Sequence, residues 1–136
     1  MKKKKLITVI IGLILVFVSW QAYMCDRYEG NLIINVSNQS ERDTISLDLY
    51  IDGEKQASGL FTNEVFHNYK EYVFKTKKGE HSFLIKTGDG VVSSEVKVNT
   101  MLVTWIVVDF YDDDVRPDKE KLTFNITTHK KPFVIE

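Results

Sequence analysis

Cysteine is almost missing from this chain: Cys25 is the one thiol in 136 residues. That excludes an intramolecular disulfide, so any domain here is held by packing, for which about 110 residues are enough. Proline is nearly as rare. Pro117 and Pro132 both fall outside the segments that alternate like strands, as ladder hydrogen bonding requires. The three histidines, His67, His81 and His129, form no i, i+2 or i, i+4 pair, so zinc-type local spacing is absent. No Ser/His/Asp nucleophile context, Gly-rich phosphate loop or positioned carboxylate pair can be picked out. No catalytic residue and no cofactor is expected, and the chain does not read as an enzyme.

Positive charge is also lacking where a folded domain would carry it. Of the 18 Lys and Arg, four stand at the start as Lys2, Lys3, Lys4 and Lys5; the other 14 face 19 Asp and Glu, a net −5. A mildly acidic body has no basic footprint, which argues against a nucleic-acid partner. With 43% hydrophobic and 27% charged residues, the composition is that of a folded protein and not of a disordered one.

What is present first is an uncharged apolar run over residues 6–24. About 20 such residues in a helix cross a ~30 Å hydrocarbon core. The lysines before it and Trp20 and Tyr23 near its end fit an uncleaved signal anchor with the N-terminus in the cytoplasm. Two alternatives share these features. A lipoprotein signal would end at Cys25, the lipidation candidate, although Met24 is large where a small residue is wanted. A cleaved signal peptide would want small residues at −1 and −3, and Ala22 with Trp20 fits this poorly. All three divide the chain into a segment 1–25 and a domain 26–136 outside the cytoplasm.

From residue 31 onward the dominant period is two. Ile45, Leu47, Leu49 and Ile51 alternate with polar residues and are followed by Asp52-Gly53, a hairpin dipeptide. Strands are expected over 32–36, 45–51, 69–77, 81–87, 91–98, 101–111 and 121–129, with 69–77 and 81–87 forming a second hairpin around Lys78-Gly79-Glu80. The segment 101–111 is apolar on both faces, with Met101, Val103, Trp105 and Val107 opposite Leu102, Ile106, Val108 and Phe110. Such a strand is central and covered on both sides. The expected architecture is an all-β antiparallel sandwich of seven or eight strands, of immunoglobulin-like or transthyretin-like type.

Asp52, Gly53, Gly79, His81, Phe83 and Ile85 stand in an order that resembles PEGA-type domains, small bacterial surface β-sandwiches. In these a V-D-G hairpin precedes a G-x-H strand. The resemblance covers about a third of the chain and implies an extracytoplasmic, non-catalytic module.

The sequence offers two site candidates. Asp109, Asp112, Asp113 and Asp114 gather carboxylates near the end of an apolar strand. Calcium takes six to eight oxygens, but no EF-hand order is present and the run stands before Pro117, where a solvated loop is expected, so the loop reading prevails. Asp109 by its alternation continues the Trp105 face, so it needs a buried partner such as Arg116. Phe61, Phe66, His67 and Tyr69 cluster where the alternation breaks, a pattern suited to a binding surface or to a loop folded over the core. The expectation is therefore a membrane-tethered module that binds or scaffolds bacterial envelope components, a protein or a glycan. A small exported enzyme acting on cell-wall or surface glycans is the alternative.

Overall fold

The structure is a computed structural model, and it describes residues 2–27, 29–63, 69–113 and 121–130. One helix, α1 (Lys2–Arg27), is followed by eight strands: β1 (Leu32–Asn38), β2 (Thr44–Ile51), β3 (Glu54–Thr62), β4 (Lys70–Phe74), β5 (Glu80–Thr87), β6 (Ser93–Asn99), β7 (Thr104–Asp113) and β8 (Lys121–His129). The strands form two four-stranded sheets, ordered β4-β1-β7-β8 and β3-β2-β5-β6. The chain is thus mostly β with one apolar N-terminal helix, as the alternation indicates.

Every residue of β1 is buried, which alternation alone does not predict. It pairs antiparallel with β4 and parallel with β7, Ile34 opposite Ile106 and Val36 opposite Val108. Even-numbered residues of β1 and β7 turn into the core between the sheets and meet Leu47, Leu49, Phe83 and Ile85 from the facing sheet. The Phe110 and Phe124 rings stand 5.0 Å apart at 54° within that core, close to an edge-to-face arrangement. Odd-numbered residues point the other way. There Ile33, Trp105 and Val103 form a second cluster under Met24 of α1, so β7 is central and covered by the second sheet on one side and the end of α1 on the other.

The β2–β3 turn has Asp52 at φ 52° and Gly53 at φ 81°, both positive as a two-residue primed turn demands. Strand β3 escaped the sequence reading because two of its three inward positions, Ala57 and Gly59, carry little apolar bulk, leaving Phe61 as its one large inward side chain. Leu60, its largest aliphatic, faces solvent at 69% exposure. The expected hairpin around Gly79 is not formed: β4 pairs with β1, whereas β5 pairs with β2 and β6. The chain crosses between sheets there, because side chains from β1 and the β6–β7 connection capture the backbone of residues 76–79.

Among the described residues the Tyr72 hydroxyl is buried without a hydrogen-bond partner. It lies where a Cβ on Gly59 would come within 2.8 Å of it. Two outcomes are expected in chemical denaturation. Trp105→Ala lowers stability by about 3–5 kcal/mol, the range for deleting a large buried aromatic. Tyr72→Phe leaves stability unchanged or raises it by up to about 1 kcal/mol, since an orphaned buried hydroxyl carries a desolvation cost and no bond. A clear loss on Tyr72→Phe would mean that the hydroxyl has a partner.

Candidate functional site

Helix α1 ends beside the start of β1. The Gly30 amide donates to the Cys25 carbonyl at 3.0 Å and Glu29 takes φ 55°, a left-handed stop that closes the last turn. A Cβ on Gly30 would stand 2.6 Å from the Phe74 carbonyl oxygen, so only glycine lets the helix exit this close to β4. Met24 is 6% exposed against Ile33, Val103 and Trp105, and Cys25 packs half-buried beside it. The Val103 amide donates to Gln21 Oε1 at 3.0 Å. The last two turns of α1 are therefore part of the folded unit, and Cys25 is a packing residue there with a free thiol.

Asn31, also at the start of β1, holds the crossing segment. Its Oδ1 accepts from the Thr76 amide at 2.8 Å and from Thr76 Oγ1, while Nδ2 donates to the Thr76 carbonyl at 3.1 Å. Thr100 continues the tie, donating through Oγ1 to the Lys77 carbonyl at 2.9 Å and through its amide to Gly79 at 2.7 Å. Lys130 from the end of β8 donates to Thr104 Oγ1 at 2.6 Å and to the Asn99 carbonyl, and burial draws its ammonium pKa below the ordinary lysine value.

These ties frame a cleft of ≈670 Å³ between the helix end and the 75–79 and 99–103 connections. Phe17 and Met101 give it apolar lining, Asp26 and Glu29 contribute carboxylates, and Lys75 and Lys78 contribute ammonium groups. Sequence reading missed this site. Its lining comes from the helix end and from two connections distant in sequence, and no local motif signals such an assembly.

At the other end of β1, Asp109 is 9% exposed, and its Oδ1 accepts from Ser37 Oγ at 2.6 Å and from the Tyr69 hydroxyl at 2.9 Å. Burial, and then the bond to Asp109, push the Tyr69 pKa up to about 12. Asp109 thus has its buried partners in two hydroxyls, while Arg116 lies outside the described residues. Asp112 and Asp113 continue the β7 backbone, and Asp114 is outside the described residues. Among the described residues no group of three His, Cys, Asp or Glu is gathered to hold a metal. Of the aromatic candidates, Phe61 is 5% exposed in the core and offers no surface, Tyr69 is turned to Asp109, and Phe66 and His67 lie outside the described residues.

No family model matches the chain, and no solved structure matches it. It is 36% identical over 70 residues to small ribosomal subunit protein uS17c of Cyanophora paradoxa, a stretch that covers 48% of this chain and 80% of that protein. By this kinship the chain belongs to the uS17 family of small ribosomal subunit proteins, and it is not an enzyme.

This overturns the expectation of a membrane-tethered extracytoplasmic module, with its envelope-protein or glycan partners, its cell-membrane location and its exclusion of nucleic acid. The alternative of an exported glycan-active enzyme falls with it. The physical reasons are two. The helix is long and apolar enough to cross a membrane by length and composition, but signal sequences and core helices meet the same criteria, so these alone fix no location. Net charge is an average, and a domain at −5 still presents Lys75, Lys77 and Lys78 together and exposed.

The docking of the helix end is open to direct measurement. In a Trp20→Phe background, where Trp105 is the sole tryptophan, Met24→Ala should shift its emission to the red. It should also cost about 2 kcal/mol or more, as truncating a buried Met does. Unchanged emission would mean that the helix end does not cover Trp105.

Proposed function

We propose that the chain is a non-catalytic component of a small ribosomal subunit, held there by docking of its β domain. The 36% identity spanning four-fifths of a small-subunit protein carries this reading. An acidic body cannot meet a polyanionic surface over a broad face, so the contact is confined to local positive charge. The exposed trio Lys75, Lys77 and Lys78 supports the 75–79 crossing as that contact.

Of the two sandwich types expected, the strand partition supports the transthyretin-like one. The immunoglobulin plan unites the first, second, fourth and fifth strands in one sheet, whereas here the first strand joins the fourth, seventh and eighth. The PEGA-type resemblance stays a reading of the fold alone, favoured by the bond between Asp52 and His81, two of the residues that carry it.

Sedimentation tests the ribosomal reading. The full chain mixed with purified small subunits should travel with them at low salt. The Lys75→Glu, Lys77→Glu, Lys78→Glu triple variant should remain at the top of the gradient. Three phosphate contacts give a log–log salt slope of about −2 to −3. Wild-type chain that never enters the subunit peak would refute the proposal.

A further inference from the structure

We propose that His81 is a protonation-dependent latch that fixes the lysine-bearing wall of the cleft, a property that goes beyond the ribosomal reading and does not rest on it. The geometry is specific. His81 Nδ1 stands 2.6 Å from Asp52 Oδ2, and Nε2 stands 2.6 Å from the Lys77 carbonyl oxygen. A carbonyl oxygen and a carboxylate can only accept, so both ring nitrogens must donate. That arrangement requires the imidazolium. The ring keeps 11% of its surface, whereas the Asp52 side chain keeps 54%, so it is the ring that the fold shields.

The latch joins three parts of the fold. Asp52 belongs to the left-handed β2–β3 turn, and its Oδ1 also accepts from the Ser82 amide at 2.9 Å. Lys77 belongs to the sheet-crossing segment whose neighbours Lys75 and Lys78 line the cleft. His81 begins the strand between them. The other charged groups on these elements are few. Glu80 pairs with Lys97 of β6 at 3.4 Å, Lys55 pairs with Asp48 at 2.8 Å, Glu95 of β6 accepts from Ser82 Oγ, and Lys75, Lys77, Lys78, Lys86 and Glu54 complete the set, while Val98 opposite His81 brings no charge. Among the described residues Asp52 is thus the one carboxylate bonded to the ring.

A neutral imidazole has a single N–H, so deprotonation leaves a lone pair aimed at an acceptor 2.6 Å away. The charge-assisted bond to Asp52 is the stronger of the two, and the Lys77 carbonyl is released. The crossing segment then depends on Thr100 and Asn31 for its ties. The bond to Asp52, followed by that to Lys77, raises the His81 pKa above the ordinary 6.5. The latch's stabilisation is therefore complete below about 6.5 and is lost as pH rises through the raised value. The Asp52 carboxyl, held below its usual range chiefly by His81, sets the acid limit: its share is lost as pH falls through that depressed value.

Nitrogen-15 NMR of the imidazole in the full chain tests this. At pH 6.5 both ring nitrogens should carry protons, with a titration midpoint above 6.5. The amide signals of Lys77, Lys78 and Gly79 should move with the same midpoint. Asp52→Asn, which keeps the turn and its backbone bond to Ser82, should lower the midpoint to 6.5 or below. A wild-type ring that is singly protonated at pH 6, or turn amides indifferent to its titration, would overturn the latch. The wild-type titration decides this even if the variant does not fold.

Discussion

Strand β1 is the member on which the two layers depend. It is buried along its whole length and gives one row of side chains to the core and the other to the helix-covered face. An asparagine ties it to its surroundings at each end. Asn31 binds Thr76, while Asn38 donates through Nδ2 to the Arg42 carbonyl at 2.8 Å and to the Phe61 carbonyl at 3.3 Å, and its Oδ1 accepts from Ser40. A buried amide is costly unless satisfied, and these two are satisfied by the connections at 40–42 and 76 and by the edge strand β3 at Phe61. The asparagines therefore convert a central strand into a frame that fixes where the connections run.

That frame explains which parts of the molecule were legible beforehand. Period-two runs such as Ile45, Leu47, Leu49 and Ile51 announce a strand and its inward face, and the Asp52-Gly53 turn follows from backbone stereochemistry alone. Strand β3 was not legible, because alanine and glycine fill two of its three inward positions and leave Phe61 alone to mark the face. The crossing at 75–79 was misread as a hairpin because Lys78-Gly79-Glu80 suits a tight turn and a sheet change equally. What decides between them is Asn31 and Thr100, distant in sequence. The cleft was hidden for the same reason, since it is assembled from the ends of elements that only the tertiary ties bring together.

Charge illustrates a related limit. Summed over residues 26–136 it is acidic, and the sum suggested a protein indifferent to polyanions. Placement matters more than the sum: the acids gather at 109–114 and are otherwise spread, whereas Lys75, Lys77 and Lys78 fall within one exposed connection. Kinship with a ribosomal protein is compatible with the local arrangement and not with the average.

The parallel pairing of β1 with β7 also governs how the chain must be built. Ser37 and Asp109, bonded across that pair, are 72 residues apart. During synthesis at ~5–20 residues per second, β1 emerges roughly 4–14 s before its parallel partner exists. Through that interval β1 has α1, β4 and the facing β2 and β5 to lean on, but its edge toward β7 stays unpaired. The first strand made is thus among the last to be fully enclosed, and the nascent chain passes through a period in which a strand buried along its whole length in the finished fold still has one edge open.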